Sequence, residues 1–94
     1  MRAWTLGYPP AYDEAIRIPG NAKQPGGYAF RTREEAAHYV AANPAEAGRF
    51  APYEMEIPGD DFDAVTANHD DKWGGCVVLT VEAPLINPDT GQPA

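Results

Sequence analysis

The sequence predicts an α+β domain: a small, mostly antiparallel sheet of about four strands, with one main helix over 33–42 and a second short helix over about 61–67 packed on it. Three observations carry this prediction. A capping box opens one clear run of helical periodicity. Two segments, 49–58 and 76–83, have the residue pattern of strands. Ten prolines and nine glycines in 94 residues divide the remainder into short pieces joined by turns.

In chain order, "RAWTL" (2–6) reads as a short strand with Trp4 and Leu6 on one face. "GYPPAY" (7–12) reads as a loop, because neither proline can donate to a ladder. In "DEAIRI" (13–18), Ile16 and Ile18 alternate around Arg17, which favours an extended segment. "PGNAKQPGG" (19–27) carries two Pro-Gly turn signals, and "YAF" (28–30) is extended. Thr32 is a good N-cap and Glu35 stands three residues on. The Thr hydroxyl is expected to accept from the Glu35 N–H while the Glu carboxylate reaches back to the Thr32 N–H. Glu34 and Glu35 also suit the positive end of the helix dipole. Ala36, Tyr39 and Val40 form an apolar stripe. Asn43 before Pro44 ends the helix, since the residue before proline is pushed out of the α region. One further turn is expected over 44–48, capped by Asn43 and stopped by Gly48.

"RFAPYEMEIP" (49–58) alternates strictly. Ala51, Tyr53, Met55 and Ile57 form an apolar face; Phe50, Pro52, Glu54 and Glu56 form the other. Pro52 puts the start of this strand at an edge or beside a bulge. "PGDDFDAVTAN" (58–68) is the second short helix, with Phe62 and Val65 inward. "HDDKWGG" (69–75) is a loop. "CVVLTVEA" (76–83) is apolar on both faces up to Thr80, the mark of a central strand or a covered face. The single globular domain is placed at 1–84, and 85–94 is expected to be a proline-broken tail that frays.

A chain of this length buries roughly two-thirds of the surface its unfolded form exposes, enough for one core with a thin margin. The single cysteine, Cys76, cannot close an intrachain disulfide. The amino-terminal stretch has no apolar core of signal-peptide type, and no run is long enough to span a bilayer. These features predict a soluble, cytoplasmic protein.

Fourteen acidic residues face seven basic ones, for a net charge of −7. Direct binding to nucleic acid or to an anionic membrane is therefore disfavoured. The charge is uneven: Glu54, Glu56, Asp60, Asp61, Asp63, Asp70 and Asp71 crowd one stretch. Tyr8, Tyr12 and Trp73 fall in predicted loops, where aromatic side chains commonly anchor protein interfaces. These ten residues are the candidate partner-binding set. They predict an interaction or accessory protein that contacts a basic protein surface, as a monomer or a weak homodimer paired through open sheet edges.

Catalytic constellations are sparse. The chain contains no serine. Cys76 would need a base within reach, and His69 lies seven residues away across Gly74-Gly75. His38 and His69 have no metal-ligand spacing with each other. The carboxylates of 60–63 and 69–71 are oxygen ligands of the kind that suit magnesium, calcium or manganese, but they lack the pattern of an EF-hand loop. Gly26-Gly27 has no phosphate-loop spacing. No cofactor and no catalytic or metal residue is assigned.

One alternative comes from a resemblance. "GGYAFRTREEAAHYV" followed by "RFAPYEMEIP" resembles the middle of ADP-ribosyltransferase-like domains, where a strand leads into a short helix and then a strand often ending near Glu-x-Glu. The overlap covers roughly a third of the chain. It implies an enzymatic or ligand-binding domain in which Arg2 and the Glu54-x-Glu56 pair grip NAD and its ribose. The family's Ser-Thr-Ser element is missing here.

Overall fold

The computed structural model describes residues 1–69 and 76–94. It is a compact α+β domain of short helices and antiparallel strands. The strands are β1 (Arg2–Gly7), β2 (Ala22–Lys23), β3 (Ala51–Glu56), β4 (Thr66–His69), β5 (Cys76–Leu79), β6 (Ala83–Pro84), β7 (Ile86–Asn87) and β8 (Gln92–Pro93); the helices are α1 (Ala11–Ala15), α2 (Arg33–Ala42) and α3 (Pro44–Ala47).

The strands pair as four two-stranded antiparallel ladders, β1 with β3, β2 with β6, β4 with β5 and β7 with β8. β1 runs from Arg2 opposite Glu56 to Gly7 opposite Ala51. The extended stretch 28–30 joins two of the ladders. Phe30 and Trp4 exchange backbone hydrogen bonds of 2.8 and 2.9 Å, while Ala29 N–H donates to Val77 O (2.9 Å) and Leu79 N–H to Gly27 O (2.8 Å). The order is thus β3, β1, 28–30, β5, β4, and β5 is central, as its two apolar faces predict. Beyond β3 the chain adds one bridge, Met55 to Leu85.

α2 starts and stops where its sequence signals stand. The Thr32 hydroxyl accepts from Glu35 N–H at 3.1 Å. The returning Glu35 carboxylate takes the N–H of Arg31 (3.1 Å), one residue earlier than the box predicts. Asn43 turns its amide back to Tyr39 O (3.0 Å) rather than capping α3. Ala36, Tyr39 and Val40 press on one face of the sheet with Leu6, Tyr28, Phe30, Cys76 and Val78. The opposite face carries Ala3, Ala29, Tyr53, Met55, Ile57 and Leu79, covered by Ile16, Phe62, Ala83 and Leu85.

Three expectations are corrected. First, 11–15 is helical, and Ile16 N–H donates to Tyr12 O at 3.1 Å. The pair facing inward is Tyr12 and Ile16, four residues apart, while Ile18 is exposed. Two isoleucines are too few to separate a period of 2 from one of 3.6. Second, the helix expected over about 61–67 is a single 3₁₀ turn, Asp63–Val65, and Thr66 enters β4. A two-turn helix is marginal alone, whereas Thr66–His69 gain a full ladder against β5. Third, 85–94 does not fray. Leu85 is 1 % and Ile86 5 % exposed. Leu85 N–H donates to Asn21 O (3.2 Å) and Ala94 N–H to Leu85 O (2.8 Å), and Arg17 Nε meets Asp89 Oδ2 at 2.9 Å. The prolines prevent a long strand, not a short hairpin.

Two stability predictions follow from this packing. Leu85→Ala should cost about 2–5 kcal/mol in denaturant unfolding, the range of a buried leucine truncation; a frayed segment would show almost none. Thr32→Ala should cost about 0.5–2 kcal/mol, the value of a lost N-cap.

Candidate binding cleft

The largest of the described clefts forms where β1 ends. After buried Leu6 the chain passes Gly7 and exposed Tyr8, takes a cis Pro9–Pro10 bond, and starts α1. Tyr12 N–H donates to Tyr8 O at 2.9 Å, which folds α1 back on the strand it left. The Tyr12 ring then lies flat on Gly7: a Cβ there would stand 2.7 Å from the ring carbons. Only a glycine admits that approach. The facing wall is Gly26, Gly27 and Tyr28, and the Lys23 stem rests on Gly27 so closely that a Cβ would collide with it. Lys23 Nζ donates to Leu6 O (3.2 Å) and sits 5.5 Å from the Tyr12 ring centroid. Phe50 completes the wall, edge-on to Tyr8 with centroids 4.5 Å apart and 5.9 Å from Tyr28.

The result is an open cleft of about 540 Å³ lined by Leu6, Tyr8, Tyr12, Tyr28, Phe50 and Lys23 with glycine and alanine backbone between them. Among its described lining residues Lys23 carries the one charge. Tyr8 also borders a second cleft of about 250 Å³, with Pro44, Glu46 and Arg49. Burial pushes the Tyr12 phenol up to about 12. It also raises Tyr28, aided by a hydrogen bond with Tyr39. Both phenols therefore stay neutral in the physiological range. The described lining offers aromatic faces beside the Lys23 side chain, a surface suited to holding a group.

The candidate carboxylates lie elsewhere. Glu54 and Glu56 share one side of β3 with Arg2 opposite. Arg2 Nη1 is 3.4 Å from Glu54 and Arg2 Nε 3.3 Å from Glu56, whose second oxygen takes the Met1 amino group at 2.9 Å. Hydrogen bonding to that amino group, then Arg2, holds Glu56 below the usual carboxylate range. Asp63 meets Arg31 Nη2 at 2.7 Å, and Arg31 lies over the Phe62 ring at 4.6 Å. Asp60 and Asp61 are exposed in the turn after β3, and the Asp61 carboxylate accepts from Asp63 N–H at 3.1 Å. Asp70, Asp71 and Trp73 lie outside the described residues. Of the ten candidates, then, Tyr8 and Tyr12 come together at the cleft, and the described carboxylates do not line it.

Arg2 and the Glu54-x-Glu56 pair are neighbours across β1 and β3. They engage one another, and none of the three lines the large cleft. Among the described residues no three His, Cys, Asp or Glu side chains gather as a metal site, and no helix is long and apolar enough to cross a membrane. Sequence reasoning missed Phe50 and Lys23. Their signal was indirect: glycines beside aromatics, Gly7-Tyr8 and Gly27-Tyr28, mark places where a side chain approaches backbone. Comparison with protein-family models, curated proteins and solved structures gives no match.

The Tyr12 hydroxyl is buried with no hydrogen-bond partner among the described residues. Tyr12→Phe should therefore keep the fold and raise stability by about 1 kcal/mol at neutral pH. The alkaline arm has a definite sign. The unfolded phenol ionises near 10.0 and the folded one near 12, so stability is intact below pH 10 and falls as pH rises from 10 to 12. Unfolding midpoints of both proteins across that window should show a shallower loss in Tyr12→Phe.

Proposed function

We propose that this chain is a non-catalytic interaction protein that grips a protein partner with its aromatic cleft and approaches it through its acidic surface. The observation that carries the reading is the convergence of Tyr8, Tyr12, Tyr28 and Phe50 on one open cleft of about 540 Å³. Tyrosine and phenylalanine give large contact area for few rotors. Here the rings already brace one another, so little ordering remains to be done on binding.

The acidic contribution is narrower than the run of carboxylates suggests. Glu54, Glu56 and Asp63 each have a basic neighbour within 3.4 Å, which leaves Asp60 and Asp61 as the described members free to act outward. With a net charge of −7, they favour encounter with a basic surface, including a groove shaped for a phosphate backbone. Charge of this exposed kind speeds association more than it tightens the complex.

The reading is tested by placing a photo-crosslinking phenylalanine analogue at position 8, and separately at position 61. Position 8 should capture one protein, and Phe50→Ala should abolish that product. Reversing Asp60 and Asp61 to lysine, or raising salt, should slow capture at both positions. Capture at position 8 that ignores Phe50→Ala removes the cleft from the account. Capture insensitive to salt and to charge reversal removes the electrostatic part.

A further inference from the structure

We infer that the chain self-associates through the outer edge of β4, as a two-fold dimer in which Thr66–His69 pairs antiparallel with Thr66–His69 of a second copy. This surface is separate from the cleft, since none of the described cleft residues lies on β4.

The neighbours of β4 fix the direction of its backbone groups. Thr80 N–H donates to Val65 O at 2.9 Å, which makes 65 and 80 a hydrogen-bonded pair. Bonded and non-bonded pairs alternate along an antiparallel ladder. Ala67 opposite Val78 is therefore bonded, whereas Thr66 opposite Leu79 and Asn68 opposite Val77 are not. The far side of β5 agrees. Ala29 N–H donates to Val77 O and Leu79 N–H to Gly27 O, so Val77 and Leu79 turn their groups toward 28–30 and away from β4. The N–H and C=O of Thr66 and Asn68 consequently point out of the sheet, and no backbone group among the described residues takes them.

β4 is the open end of the strand order. At the other end β3 is blunted as sheet edges commonly are. Pro52 has no N–H, Glu54 and Glu56 put charge beside the strand, and Leu85 bridges Met55. β4 has none of these devices. It is extended from Thr66, with φ −134° and ψ 162°. Its residues include no proline, lysine or carboxylate, and Ala67, Asn68 and His69 are exposed.

A second copy is the occupant this edge fits. A two-fold axis at Ala67 sets Thr66 opposite Asn68 of the second copy, so each outward N–H meets an outward C=O, and the same exchange recurs across the axis. Charge points the same way. Two chains of net charge −7 repel over most of their surfaces, and β4 lets them touch along a strand without carboxylates. A basic partner, by contrast, finds no anion on it. A pairing of two four-residue strands is small beside the roughly 1,200–2,000 Å² of a standard interface, so the dimer dissociates on dilution.

The test is sedimentation of the full chain over a wide concentration range, with amide exchange followed by NMR at both ends of it. The weight-average mass should rise with concentration toward twice that of the chain. Added salt should strengthen the association by screening the repulsion, the reverse of its expected effect on capture at the cleft. The amides of Thr66 and Asn68 should gain protection as the dimer forms, while that of Ala67, already bonded to β5, stays protected throughout. Asn68→Pro removes an outward donor and no bond to β5, so it should abolish the concentration dependence. Ala67→Cys should oxidise readily to a covalent dimer, because the two Ala67 Cα atoms stand roughly 4.5 Å apart in this register, within the span of a disulfide. Ala41→Cys, exposed on α2, should not. A monomer at every concentration overturns the inference. So does self-association that survives Asn68→Pro or leaves the Thr66 and Asn68 amides exchanging freely, since another surface then carries it. If Asn68→Pro fails to fold, the alternating protection over 66–68 in the unaltered chain and the Ala67→Cys linkage decide the matter. Capture from position 8 uses other residues, so either result leaves the cleft to its own test.

Discussion

Three consecutive residues hold the sheet together. Tyr28, Ala29 and Phe30 link β1 on one side, through the paired bonds of Phe30 with Trp4, to β5 on the other, through the Ala29 N–H to Val77 O and the bridge of Tyr28 with Val78. Without them the β1–β3 and β4–β5 pairs are separate two-stranded ribbons, and a lone ribbon is marginal in water. The same triplet supplies both cores. Tyr28 and Phe30 point to the face under α2, and Ala29 points to the face under Ile16, Phe62 and Leu85. Period-two alternation over three residues thus settles which side of the molecule is aromatic and which is aliphatic.

The cleft is a consequence of where that triplet begins. Just before it, Gly26 and Gly27 bring bare backbone up to the end of β1, where Gly7 does the same. Two stretches of backbone without Cβ atoms leave room that Tyr12 and Lys23 enter from the side. Phe50, delivered by the turn after α3, closes the space against Tyr8. Residues from five separate parts of the chain therefore meet at one place.

Charge is distributed by the same folding. β1 and β3 run antiparallel with Arg2 opposite Glu56, which turns the most conspicuous acidic pair in the sequence into part of an ion-paired patch. Asp63 is drawn to Arg31 in the same way. These exposed pairs contribute little to stability. Their effect is to leave Asp60 and Asp61 as the described members of the candidate acidic set without an ion pair.

Much of the local structure was legible. α2 is encoded within thirteen residues, Thr32 to Pro44, by its cap, its stripe and the Asn43-Pro44 stop, so no distant contact is needed to find it. β3 announces its two faces by strict alternation, and β5 its central place by apolar residues on both sides. Tyr8 and Tyr12 were legible as aromatics outside the sheet, because a stretch with two prolines has no ladder to join. Where the pattern was two or three residues long the reading failed. Ile16 and Ile18 fit a strand on paper, yet Tyr12 and Ile16 face the core.

The sequence by itself determined the class of fold, the main helix, the principal strands and the acidic character, because each depends on neighbours in the chain or on composition. Tertiary structure decided the rest. Thr66–His69 became a strand because β5 needed a partner along its edge, and 85–94 became ordered because Leu85 fills the space beside Met55. It also decided the cleft, since neither Lys23 nor Phe50 has a local pattern that places it beside Tyr8. Their meeting depends on the two hydrogen bonds between Trp4 and Phe30, residues 26 apart in sequence, and a long-range pairing of that kind leaves no periodicity to read.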